Sequence, residues 1–178
     1  LDPAAQRWTA QAEPSSIFAA AKMAALRGWL VSKLDVKGAF LHGEFDNNEV
    51  IYFKVPQGFE QFYNPDSVLL RLFKTAYGLK QAAMMFWREL VRAMNFMGFE
   101  RSYADPCLYW KWTLSRLVIW LSWIGDCLCV GNTKEVEKHS NKMKGLFDCD
   151  DVGPMKEYVG CKIEREKDGI KFTSPDPK

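Results

Sequence analysis

A chain of 178 residues has room for about one domain, the usual size being roughly 100–200 residues. Hydrophobic residues at 48% and charged residues at 26% are ordinary globular values, which exclude a disordered or fibrous chain. With 24 Lys and Arg against 22 Asp and Glu the net charge is +2, so nucleic-acid binding would need a local basic surface rather than a global field.

The chain opens Leu1-Asp2-Pro3, without Met or a signal-peptide pattern, and is expected to be part of a longer product. Ser15-Ser16 can cap a helix running to about Arg27, with Ile17, Phe18, Ala21, Ala24 and Ala25 on one face and Gly28 as its stop. Trp29 to Val36 reads as a mostly apolar strand delivering Asp35 at its end. Ile51 to Val55 and Val68 to Leu72 are strand candidates around a turn-rich stretch with Pro56, Gly58, Asn64 and Pro65. Lys80 to Met97 has helical spacing, with Ala83, Phe86, Trp87, Leu90, Met94 and Met97 apolar and Gly98 as the stop. Cys107 to Trp112 reads as a strand, and Leu117 to Val130 as two strands folded about Ile124-Gly125-Asp126. A charged helix over Lys134 to Phe147 precedes a last pair of strands, Tyr158 to Arg165 and Ile170 to Thr173, joined by Lys167-Asp168-Gly169. This order predicts an α+β fold with the helices on one face of an antiparallel sheet.

Five cysteines, Cys107, Cys127, Cys129, Cys149 and Cys161, form no C-x-x-C pair. They read as buried free thiols of an intracellular, reducing compartment rather than a disulfide framework or zinc site. The apolar stretch Leu117 to Val130, broken by Ser122 and Asp126, is shorter than the ~20 residues of a membrane span.

Asp35 and Asp126 stand out because apolar strands present them. A carboxylate among buried strands is costly unless it is paired or binds a metal, and each could equally cap a turn at a sheet edge. Lys37, Arg71, Lys74 and Lys80 are open to two readings, as phosphate contacts or as a solvated face. Trp110, Trp112, Trp120 and Trp123 could stack bases or form one packed sheet face. His42 and His139 lack any partner spacing for zinc, and the charges from Lys134 to Lys144 mark a solvent face.

Five motifs in order carry a family resemblance. Leu34-Asp35-Val36-Lys37-Gly38-Ala39-Phe40-Leu41-His42-Gly43-Glu44 resembles the first palm motif of copia-type retrotransposon reverse transcriptases. Pro56-Gln57-Gly58-Phe59 and Tyr77-Gly78-Leu79-Lys80-Gln81-Ala82 resemble the family's next landmark and its template- and nucleotide-gripping motif. Trp123-Ile124-Gly125-Asp126 aligns with its aromatic-x-Asp-Asp turn, and Phe147 to Gly153 with Tyr158-Val159-Gly160 resemble its closing palm segment. The similarity runs from about Trp8 to Thr173.

The resemblance implies a single palm domain over 1–178 with partial fingers, copying RNA or DNA into DNA by nucleotidyl transfer. Two Mg²⁺ ions would serve the chemistry, held by the side chains of Asp35 and Asp126 and the carbonyl of Val36. Phe40, Gly78, Lys80 and Gln81 take the nucleotide- or template-binding positions by the same resemblance, with template-primer and deoxynucleoside triphosphate as partners.

Three departures follow. Gly125 replaces the first Asp of the hairpin pair, which predicts weak Mg²⁺ binding and a catalytically impaired chain. A shifted register, with Gly125-Asp126 as the Gly-Asp of viral RNA polymerases, needs a gap and puts Cys127 in a ligand position. Ala83-Met84-Met85 stands in place of Pro-Arg after Gln81-Ala82, and a chain of residues 1–178 is expected to lack the basic fingers strand, the thumb and the RNase H segment. Two functions are therefore expected: an impaired reverse-transcriptase-like enzyme, or a pseudoenzyme palm that binds a protein partner within a larger assembly.

Overall fold

The computed structural model describes residues 10–45, 49–64, 69–114, 116–155, 157–158, 161–166 and 169–173. Its elements in chain order are α1 (Pro14–Arg27), β1 (Leu30–Val36), β2 (Ile51–Lys54), β3 (Leu69–Leu72), α2 (Ala82–Phe96), β4 (Glu100–Arg101), β5 (Leu108–Thr113), β6 (Arg116–Trp123), β7 (Asp126–Gly131), α3 (Thr133–Lys144), β8 (Cys149–Pro154), β9 (Glu157–Tyr158), β10 (Cys161–Glu166) and β11 (Gly169–Thr173). A six-stranded sheet in the order β4-β5-β6-β7-β1-β8 is antiparallel at every pairing. The hairpin β2-β3 and the three-stranded sheet β11-β10-β9 stand beside it. This is the expected α+β architecture with an antiparallel sheet.

The helices do not share one face. Leu34, Val118, Trp120, Cys127 and Cys129 form one core with Phe86, Leu90 and Met94 of α2 and Val136 and Met143 of α3. Ile119, Leu121, Leu128 and Val130 form a second core with Ile17, Ala20 and Ala24 of α1. Side chains alternate along a strand, so these sets lie on opposite faces. The expectation of helices on one face is therefore corrected. The reason is that β6 and β7 are apolar at successive positions, so both of their faces need cover. Trp120, Tyr109, Phe86, Leu90 and Leu34 are among the largest fully buried side chains. Burial of Phe86, Leu90 and Leu34 contributes about 1.5–3 kcal/mol each relative to exposure.

Local chemistry explains the other differences. Pro14 opens α1 at the first helical position after Glu13, and no side chain caps that end, so Ser15 and Ser16 are inside the helix. Phe18 is half exposed, while Ile17, Ala20, Ala21 and Ala24 are buried. Gly28 ends the helix at φ 63°, as expected. The single strand expected over Tyr158 to Arg165 is two, β9 and β10, paired antiparallel with one another. Val68 and most of the Lys167-Asp168-Gly169 turn lie outside the described residues. Trp120 faces the α2 core while Trp123 packs on the α1 side, so the tryptophans do not form one sheet face.

Cys107, Cys127, Cys129 and Cys149 are free thiols, the first three buried. Burial pushes Cys107 and Cys127 up to about 12 and Cys149 to about 11, and drives Cys129 up as well. Burial thus disfavours the thiolate form of all four at neutral pH. Asp105, also buried, accepts the backbone N–H groups of Glu13 and Cys107 at 2.9 Å each, joining the start of α1 to β5. Among the described residues no helix is long and apolar enough to cross a membrane.

Candidate functional site

The two acidic residues that interrupt apolar strands are brought together. Asp35, near the end of β1, is the direct cross-strand partner of Asp126 at the start of β7. Directly opposed residues project on one face with Cβ atoms about 4.5–5.5 Å apart. On the other flank Asp35 is opposite Asp150 of β8. Three carboxylates thus cross the sheet in one row, Asp126–Asp35–Asp150.

The hairpin between β6 and β7 is tight: Trp123 pairs with Asp126, and only Ile124 and Gly125 lie between. Ile124 has φ 54°, a left-handed conformation that a β-branched side chain adopts only under strain. Gly125 packs closely on β1. Its carbonyl accepts the Val36 N–H at 2.9 Å. A Cβ at this position would lie 3.0 Å from the Val36 carbonyl oxygen, 3.1 Å from Ala39 Cβ and 3.5 Å from Asp35 Oδ1. A larger residue at 125 would therefore sit beside Asp35 and would need the Val36 carbonyl and Ala39 to yield by a few tenths of an ångström.

An open cleft of about 370 Å³ lies over this hairpin, lined by Asp35, Lys37, Phe40, Tyr77, Trp123 and Asp126 together with the Gly38–Ala39 and Ile124–Gly125 backbones. Gly38 at φ 57° starts the short turn Ala39–Leu41 that carries Phe40. The Phe40 and Tyr77 rings meet edge to face with centroids 5.1 Å apart. Buried Thr75 fixes that wall. Its hydroxyl donates to the Phe40 carbonyl, and its N–H donates to the Gly43 carbonyl at 2.9 Å. Gly43 has no room for a side chain, since a Cβ would come within 2.4 Å of Thr75 Oγ1.

Two lysines neutralise the flanks of the row. Lys33 Nζ lies 2.8 Å from Asp126 Oδ1. Lys37 Nζ lies 2.8 Å from Asp150 Oδ1 and 3.5 Å from Asp148 Oδ1. The hydrogen bond with Asp150, then the charges of Asp148 and Asp150, raise the Lys37 ammonium above the usual lysine value.

A family described as reverse transcriptase (RNA-dependent DNA polymerase) matches residues 9–176. The chain belongs to this family. It is 35% identical over 144 residues, 80% of this chain and 11% of the relative, to the retrovirus-related Pol polyprotein from transposon TNT 1-94 of Nicotiana tabacum. It is 30% identical over 145 residues, 81% of this chain and 10% of the relative, to the retrovirus-related Pol polyprotein from transposon RE2 of Arabidopsis thaliana. The chain is a copia-type reverse transcriptase region, and it spans about a tenth of the length of these curated relatives. No solved structure matches it.

Reverse transcriptases as a family imply divalent metal use, and the cleft can be tested for its fit to such ions. The fit is poor. Position 125 carries no carboxylate, Asp126 is bonded to Lys33, and Asp150 is bonded to Lys37. Among the described residues no three His, Cys, Asp or Glu side chains converge to hold a metal ion. Magnesium demands near-octahedral oxygen coordination, which this arrangement does not offer.

Of the residues singled out in the reverse transcriptase motifs, Asp35, Val36, Phe40, Gly125 and Asp126 meet at the cleft. Gly78, Lys80 and Gln81 do not line it; Gly78 turns at φ 91°, Lys80 is exposed, and Gln81 Nε2 donates to Glu49 Oε1 at 2.7 Å. Arg71 lies over the Phe73 ring, and Lys74 bridges Glu44 through the backbone. Lys33, Thr75 and Asp150 are site residues that sequence reasoning did not single out. A signal existed for Lys33: its offset of two from Asp35 puts both on one strand face.

Proposed function

We propose that this reverse transcriptase region is a polymerase palm with partial fingers, formed by residues 1–178, that is impaired in nucleotidyl transfer. The observation that carries this reading is Gly125. It lies in the hairpin turn, where a Cβ would be 3.0 Å from the Val36 carbonyl oxygen and 3.5 Å from Asp35 Oδ1, and it has no side-chain oxygen to offer. The reading assigns Asp35 and Asp126 to the remnant of the catalytic pair, with Phe40, Gly78, Lys80 and Gln81 on the template and nucleotide side. The chain's own residues still offer a walled cleft: the Phe40–Tyr77 pair closes one side and the Trp123 hairpin the other.

Primer extension on an RNA template, with Mg²⁺ or Mn²⁺, tests this. The natural chain is expected to extend at background. Gly125→Asp is expected to bind metal more tightly without restoring full extension. Robust extension by the natural chain, abolished by Asp35→Ala, would overturn the reading.

A second reading, a non-catalytic palm that serves as a binding subunit of a larger assembly, draws support from the β2-β3 region. There Tyr52, Phe59, Phe62, Leu69 and Phe73 are each more than half exposed, and the Phe59 and Phe62 rings lie against each other.

A further inference from the structure

We propose that Lys33 is the resident cation of the cleft: its ammonium, fixed on Asp126, takes the place of divalent charge, so the natural chain takes up no divalent ion between Asp35 and Asp126. This deepens the reading of an impaired palm and rests on it, because a chain that extended primers would need the ion that Lys33 displaces.

The argument starts from register. Lys33 is opposite Leu128, and Asp126 is two residues from Leu128 on the same strand, so Lys33 and Asp126 are diagonal neighbours on one face. The Nζ–Oδ1 distance is 2.8 Å, that of a charge-assisted hydrogen bond. The side chains are only 20% and 32% exposed, which distinguishes the pair from the fully solvated ion pairs that contribute little. Asp35 lies two residues beyond Lys33 on the same strand face, so a cation bridging Asp35 and Asp126 would sit beside the ammonium. Two like charges at that spacing repel strongly in a partly desolvated cleft. Asp150 does not rescue the site, because Lys37 holds it from the other side. The row of three carboxylates therefore faces two ammonium groups, and magnesium, which sheds water reluctantly, meets Asp35 as its one unpaired carboxylate among the described residues.

The test is a titration of the 178-residue chain with Mn²⁺, read by paramagnetic broadening of the backbone amide resonances around residues 35 and 124–126 and by equilibrium dialysis. The natural chain and Lys33→Arg are expected to show no saturable, localised broadening. Lys33→Gln is expected to gain it, with apparent affinity at least about tenfold tighter, the order expected for removing a like charge at this distance. Lys33→Met, which keeps an apolar stem, is the second charge-removing variant if the glutamine variant does not fold. Saturable Mn²⁺ binding by the natural chain, lost in Asp35→Asn, would overturn the proposal, as would folded charge-removing variants that bind no tighter. Such binding without primer extension overturns the role of Lys33 and leaves the impaired palm standing. Primer extension overturns the impaired palm itself.

Discussion

Asp35 and Asp150 are directly opposed across the β1–β8 pair, and Lys37, just beyond the end of β1, holds the Asp150 carboxylate at 2.8 Å while its backbone N–H donates to the Asp148 carbonyl. Lys37→Met should therefore leave Asp148 and Asp150 without the ammonium that neutralises them, with Asp150 opposite Asp35. The variant is expected to melt at a lower temperature than the natural chain at low ionic strength, with the gap narrowing as salt is added. The Lys37 pKa is raised in the folded chain, so its contribution is complete below the ordinary value of 10.5 and is lost as pH rises through the higher folded value. Melting curves across salt and alkaline pH check both; a gap independent of salt would contradict the assignment.

Asp151 gives the opposite pH signature. The hydrogen bond from Lys144 at 2.8 Å, aided by the Gly153 N–H, depresses its pKa below 3.8. Its contribution is present above that value and is lost as pH falls through the folded value. Asp151→Asn is expected to cost about 0.2–1 kcal/mol at neutral pH, the range for partly exposed pairs. Denaturant curves should show that difference disappearing in strong acid.

The hairpin turn makes a prediction of unusual sign. Ile124 holds φ 54°, which costs a non-glycine residue roughly 1–2 kcal/mol. Ile124→Ala keeps the strain and loses the half-buried side chain, whereas Ile124→Gly loses the side chain and relieves the strain. The glycine variant should therefore be the more stable of the two by about 1 kcal/mol, opposite to the usual preference for alanine. Equilibrium unfolding of both variants decides it.

Leu90 on α2 is 1% exposed within the core that includes Trp120 and Phe86. Leu90→Ala is expected to cost about 2–5 kcal/mol, which in a chain of this size lowers the melting temperature by roughly 5–15 °C. A shift of only a degree or two would mean that α2 does not pack as described.

The hairpin of β6 and β7 was legible in the sequence because an apolar run too long for one strand contained a turn, and because Asp126 stood where a buried strand has no use for a charge. That Asp35 and Asp126 belong together was implied by the resemblance, which gives both to one site, and the β1–β7 register places them opposite each other. The side of the sheet on which α1 packs was not legible from its own stripe; it depends on β6 and β7 being apolar on both faces. Lys33 escaped notice because a lysine in a strand usually faces solvent, and only the β1–β7 register shows that its ammonium reaches Asp126. Asp150 lies in the segment that resembles the closing palm motif, but only the β1–β8 register puts it opposite Asp35.

The place of β1 between β7 and β8 has a consequence for how the chain acquires its structure. β1 precedes both of its partners in the chain, and they are encoded in the second half of the sequence. Contacts so distant along the chain close slowly, because the loop entropy is lost before they form. During translation β1 must therefore wait with both hydrogen-bonding edges open, and its apolar residues Leu34 and Val36 are without the core that later buries them. Truncation anywhere before β7 should consequently yield an aggregation-prone product rather than a smaller folded unit.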